Sequence, residues 1–199
     1  MNISDREAEF RSKIPFKRGT EEYKLYEKLI PAIGKPRNLL VITDIEQDRD
    51  DLLAVLILVH MHQLGIVNLV GFIANHRPSE KRAKLLRTIL HLQGLPDMPV
   101  AAGTDGTCGR EKRDLFWHEL RNQTFEHQDW NKDKEQLCGY NLIDSAFKQV
   151  GDQKLAVLCL SSFQDISEYF KKQDDQFIRK HLATVVSQGG YEIQEGLIK

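Results

Sequence analysis

Cysteine is scarce in this sequence, and its scarcity narrows the chemistry first. The three cysteines, Cys108, Cys138 and Cys159, lie far apart, and no two form a Cys-x-x-Cys pair. A zinc knuckle or thioredoxin-like centre therefore has no ligands to build on, and an odd, scattered set suits a reducing compartment. Long apolar runs are missing as well. The longest, Leu52 to Val59, is far short of a bilayer span. The opening MNISDREAEFRSKIPF mixes charges of both signs and has no apolar stretch of the signal-peptide kind. Neither sign of charge dominates: 28 basic residues face 29 acidic ones, for a net charge of −1. No long-range field would draw in nucleic acid or an anionic membrane. These absences predict a soluble, cytoplasmic protein that binds neither nucleic acid nor membrane.

With 199 residues, 41% hydrophobic and 29% charged, the chain can bury the core of one ordinary domain. Residues 1–36 read as a charged N-terminal extension with one helix, Thr20 to Leu29, stopped by Pro31, Gly34 and Pro36. Residues 37–199 then alternate between two textures. Apolar, β-branched runs predict strands at Asn38 to Thr43, Ile66 to Ala74, Pro99 to Ala102, Lys154 to Leu160 and His181 to Ser187. Between them, helices are predicted over Asp50 to Leu64, Ser79 to Gln93 and Asn141 to Val150, and from Asp165 to Phe170. Residues 104–139 form a long polar insertion, and an insertion of that length in a compact domain is functional or mobile. Strands and helices alternating at this spacing predict an α/β fold with a doubly wound, mainly parallel sheet in three layers, Rossmann-like. In such sheets ligands gather at the carboxyl ends of the strands.

The first strand ends in a concentrated acidic loop: Asp44, Glu46, Asp48, Asp50 and Asp51 fall within eight positions. The amides of a following helix can stabilise one or two of these carboxylates, but not five. A hard divalent cation with oxygen ligands would offset the remaining repulsion and could activate a water. The plainer alternative is a solvated acidic turn that caps the next helix. The glycine and distal glutamate of an EF-hand loop are absent, so that motif is excluded. A phosphatase-like loop would need a second Asp two residues after its nucleophile, where Glu46 stands.

The stretch VITDIEQDRDDLLAVLIL resembles the N-terminal signature of the calcium-dependent nucleoside hydrolases of the inosine/uridine-preferring type, an Asp-x-Asp-x-x-x-Asp-Asp loop after the first strand. Downstream segments keep the family's order: VNLVGFIAN, GLPDMPVAAGTDGT, KLAVLCLSSFQDIS and ATVVSQGGYE. The resemblance covers about residues 38–192. It implies a hydrolase that cleaves the N-glycosidic bond of purine or pyrimidine ribonucleosides with a calcium-bound water. It also implies roles for individual residues. Asp51 matches a calcium ligand, Asp50 the residue that holds the ribose hydroxyls, and Asn75 a ribose-contacting asparagine. Glu46 stands where the family has an Asp that is both calcium ligand and general base. Asp44 matches a supporting residue, and Gln164 falls where a backbone carbonyl completes the metal shell. The expected partner is a nucleoside, with or without self-association of the protein.

Three departures from the family pattern open a second expectation. Glu46 is one methylene longer than Asp, Ser161-Ser162-Phe163-Gln164-Asp165 lacks the family's Gly and Pro, and the sequence stops at Lys199. The family supplies a His and a metal-binding Asp from beyond that point. The chain is therefore expected to be an incomplete copy of the domain, and the alternative reading is a catalytically impaired relative that binds metal or ribose without turnover. Other candidates have bland readings beside the functional ones. His118 and His127, and Trp117 and Trp130, lie in the long insertion and could face a ligand or merely anchor it. Gly189-Gly190 could admit a ligand or make a turn. His60, His62 and His91 read as structural, Cys159 as an inert buried thiol, and Lys81, Arg82 and Lys84 as a solvated basic helix face.

Overall fold

The computed structural model describes residues 3–30, 36–45, 49–106 and 137–188, with the backbone of 193–194 and 197–198. Everything structural below concerns these residues.

Runs of apolar residues that are buried on both faces need a sheet sandwiched between helices, and the structure provides one. The strands are β1 (Arg37–Thr43), β2 (Val67–Ala74), β3 (Val100–Ala102), β4 (Leu137–Cys138), β5 (Leu155–Cys159) and β6 (Leu182–Ser187). All pair in parallel, in the spatial order β4-β3-β2-β1-β5-β6. The chain winds outward from β1 to β4, then crosses back to the other side of β1 for β5 and β6. The switch in winding direction falls between β1 and β5, the place where open α/β sheets form a ligand crevice. A two-residue pair, β7 (Ile193–Gln194) and β8 (Leu197–Ile198), makes a separate antiparallel sheet.

Side chains of the strands feed two cores by period-2 alternation, which a register shift opposite Leu39 and Leu40 moves by one residue within β2. On one face Leu40, Ile42, Val70 and Ile73 meet helix α5 (Gly139–Val150) and helix α6 (Gln164–Phe170) through Leu142, Ile143, Ile166 and Tyr169. On the other, Val41, Phe72 and Ala74 meet helix α3 (Arg49–Gln63) and helix α4 (Ser79–Leu92) through Val55, Val59, Ala83 and Leu86. The result is the expected three layers. Helix α7 (Asp175–His181), absent from the sequence expectation, is capped by Asp174, whose side chain accepts from the Phe177 amide, and leads into β6.

The N-terminal residues are more structured than their charge suggests. Helix α1 (Ile3–Lys13) precedes helix α2 (Glu21–Glu27), whose N-cap is Thr20. Phe10, Ile14 and Tyr23 are buried with Leu64 and Ile66 in a third cluster. The two helices thus dock on the end of α3 and the start of β2. No helix among the described residues is long and apolar enough to cross a membrane.

Candidate active site

The ladder of β1 extends past its end and fixes three loops side by side. Asn75 N–H donates to the Thr43 carbonyl at 3.0 Å, Leu160 N–H to Ile42 at 2.8 Å, and Gly103 N–H to Ala74 at 2.8 Å. The residues after β1, β2, β3 and β5 therefore share one rim, at the carboxyl end of the sheet.

The paired aspartates at the start of α3 point in different directions. Asp51 is 5% exposed and accepts a hydrogen bond from the Thr43 hydroxyl at the end of β1. Burial pushes its carboxyl up from 3.8 to about 6; the Thr43 bond opposes the rise, Asp44 and Asp50 add to it, and Arg82 counters it. Asp50 is exposed and accepts from the Gln188 amide at 2.9 Å, which ties the start of α3 to the end of β6. Asp44 is half-buried, and its backbone carbonyl accepts from Arg82. Glu46, the residue matched to the base, lies outside the described residues, as do His118, His127, Trp117, Trp130 and Gly189-Gly190.

The charge that holds this loop comes from a residue whose sequence context suggested solvent. Arg82 is not part of a solvated basic face: it is 4% exposed, and its guanidinium reaches the carbonyls of Asp44, Ile45 (2.9 Å) and Arg77 (3.3 Å). Helical spacing explains the difference. Lys81 and Lys84 turn outward, whereas Arg82 shares the inward face with Ala83 and Leu86. A buried cation thus offsets part of the acidic repulsion, a role that the sequence alone left to helix amides, solvent or a metal.

Asn75 is completely buried, and its amide is used within the protein. Both Nδ2 hydrogens are engaged, one by the Ser162 carbonyl at 3.0 Å and one by Asp165 Oδ2 at 2.9 Å. Its Oδ1 accepts from Ser161 Oγ at 2.5 Å, leaving one lone pair for another partner. Asp165, which the sequence reading treated only as a helix start, is the hub of this arrangement. It is 5% exposed and also accepts from the Thr104 amide at 2.8 Å and the Thr104 hydroxyl at 2.9 Å. Gly103 and Gly139 close over it, and a Cβ on either would sit within 2.9 Å of Asp165 Oδ1. Gln164, beside this hub, donates through its side chain to Glu168 at 2.8 Å, while its Oε1 is buried with no donor among the described residues.

The remaining candidates behave as sequence suggested. His62 Nδ1 accepts from the Leu69 amide at 3.2 Å, and His60 meets Tyr26. Cys159 is fully buried, and burial pushes its thiol up to about 12, so it is unreactive. A cavity of about 300 Å³ lies elsewhere, beside the start of β3, lined by Arg87, Leu90, Leu95, Met98 and Val100. It is at the opposite end of the strands from the acidic loop. Among the described residues, no three His, Cys, Asp or Glu side chains group so as to hold a metal.

A parallel six-stranded sheet between helix layers, with an aspartate loop at its switch point, defines the nucleoside-hydrolase-like α/β fold. Solved structures share it. The type III effector protein XopQ, determined with adenosine diphosphate ribose, aligns with a TM-score of 0.69 at 18% identity, over 88% of this chain and 50% of that one. The effector protein XOO4466 aligns at 0.66 and 17% identity, over 86% and 49%. The plant nucleoside hydrolase PpNRh1 aligns at 0.58 and 14% identity, over 78% and 48%. The chain spans about half the length of these neighbours. No protein-family model matches the sequence, and no curated protein matches it.

Asp51 allows a direct check on the energetics of the rim. Its folded-state pKa lies above the unfolded value, so the folded protein holds the proton more tightly and gains stability as pH falls through 6 towards 4. The rise from 3.8 to about 6 corresponds to about 3 kcal/mol of destabilisation at neutral pH. With divalent ions chelated, Asp51→Asn is expected to gain stability relative to the wild type between pH 4 and pH 8, by about that amount. Urea unfolding at the two pH values measures it, and a pH-independent difference would refute the assigned burial.

Proposed function

We propose that the chain binds a ribonucleoside at the rim formed after β1, β2 and β5 and hydrolyses its N-glycosidic bond, with calcium held beside Asp51. One observation carries this reading: Asp51 is a buried carboxylate with a single side-chain hydrogen bond among the described residues, kept at a sheet switch point against its own desolvation. The donor set suits a hard, oxygen-seeking cation. As proposed, it comprises the Asp51 carboxylate, Glu46 and the Gln164 backbone carbonyl, all oxygen ligands; Gln164 Oε1 is buried with no hydrogen-bond partner among the described residues. Calcium bound there would lower the pKa of a water and stabilise negative charge near it. In this reading Glu46 takes the proton from the attacking water, Asp50 holds the ribose hydroxyls, and Asp44 supports the loop. Asn75 meets the sugar through its free lone pair. The carboxylates would also stabilise the oxocarbenium-like state that forms as the bond breaks.

The test is ribose release from a panel of purine and pyrimidine nucleosides, with calcium and with a chelator. Release is expected only with calcium, and Glu46→Gln is expected to lower it by about 100-fold or more. Absence of turnover across the panel would overturn the hydrolase reading.

A second reading, ribosyl binding without turnover, is favoured by Asn75, whose amide hydrogens are both spent inside the protein. The likeness to the XopQ structure makes adenosine diphosphate ribose a ligand worth testing. Calorimetric binding of that compound or of a nucleoside, without product, would select this reading.

A further inference from the structure

His76, directly after Asn75, combines four features that ordinary core packing does not call for. Its backbone φ is +60°, in the left-handed region that side chains other than glycine adopt at a cost. It is only 6% exposed. Its Nδ1 is buried and has no hydrogen-bond partner among the described residues. Finally, the ring fits only because residue 106 is glycine. A Cβ on Gly106, itself at φ +75°, would sit 2.4 Å from Nδ1 and 2.5 Å from Cε1.

A strained His76 backbone and a glycine that leaves room for the ring therefore set one nitrogen of this imidazole against a neighbouring main chain. The residue is also fixed at both ends: its N–H donates to the Thr104 carbonyl at 2.8 Å, and Arg77 is paired with Asp105 at 2.6 Å. Proton placement follows from the sealed edge. A proton on Nδ1 would be a buried donor with no acceptor, which is more costly than a bare lone pair. The imidazolium would add a buried charge to that unmatched donor. The neutral form with the proton on Nε2 is the one this setting favours.

We infer that His76 is a ligand-binding residue of the rim, presenting Nε2–H as a fixed donor to an oxygen of the ribosyl ligand. The inference rests on the ribosyl-binding reading of the same site and adds a recognition residue on the β2 side. No family motif noted in the sequence assigns this position a role.

The experiment is nitrogen-15 NMR of the histidine-labelled protein, with D-ribose as probe. The free protein at pH 7 is expected to show His76 protonated on Nε2 alone, and ribose is expected to shift that resonance. Ribose affinity should fall about tenfold in His76→Phe, which keeps a ring but no donor. It should recover in part in His76→Gln, whose amide reaches the Nε2 position. A proton on Nδ1, a charged ring, or unaltered ribose binding by His76→Phe would overturn the inference. If the wild type binds no ribose, the ribosyl reading fails and this ligand with it, while the tautomer still decides the local geometry. If the wild type binds and His76→Phe binds equally, only the role of His76 is lost.

Discussion

Replacing Arg82 by methionine is expected to destabilise the protein by about 3–5 kcal/mol, the range for removing one member of a buried charge network. Methionine fills much of the stem's volume but leaves the carbonyls of Asp44, Ile45 and Arg77 without their donor. It also removes the positive charge that holds down the Asp51 carboxyl. Lysine keeps the charge on a compact ammonium that cannot fork over three carbonyls, so a smaller loss, about 1–3 kcal/mol, is expected. Urea unfolding at pH 7 reads both values. A methionine variant within 0.5 kcal/mol of the wild type, a difference typical of surface substitutions, would mean that Arg82 does not anchor the loop. The consequence for function is local: the loop that carries Asp44 and Asp51 is tied to α4, so its shape depends on a residue outside the acidic run.

Asp165→Ala is expected to be of similar severity, about 3–5 kcal/mol, because three donors lose their acceptor at once. These are the Thr104 amide, the Thr104 hydroxyl and the Asn75 side-chain amide. Asp165→Asn is the sharper test of the arrangement. The substituted amide can still accept from Thr104 on its oxygen, but its NH₂ then faces the NH₂ of Asn75, donor against donor. About 1–3 kcal/mol is expected from that mismatch. Faster hydrogen exchange at the Thr104 amide would localise the effect, and unchanged exchange with unchanged stability would contradict it.

Much of the fold was legible because it rests on local periodicity. The β-branched runs that became β1, β2 and β5 have the length and apolarity of doubly buried strands, and the helices between them stop at Gly65 and Gly94, both at positive φ. Helix α1 was not legible, since among its described side chains only Phe10 is a buried anchor and Ile14 lies just past its end. Strand β4 has two residues, too few for any pattern. At the rim, the sequence placed an acidic loop after the first strand but did not show how its side chains divide. Asp50 and Asp51 are adjacent and alike in sequence; only the packing of α3 on β1 sends one to solvent and the other to Thr43. Arg82 looked solvated between two lysines because the helix phase that buries it depends on α4 docking. Asp165 was missed for a different reason. Its partners, Asn75 and Thr104, lie 90 and 61 residues away, and no local motif records a contact of that separation.

Calorimetric titration of calcium into the wild type and Asp51→Asn, each shown to be folded, tests the central claim most directly. The account predicts binding by the wild type and its loss in the variant, even though the variant gains stability at neutral pH when calcium is absent. A wild type that binds no calcium, or a variant that binds it equally well, would contradict the assignment of the rim as a metal-dependent ribosyl site.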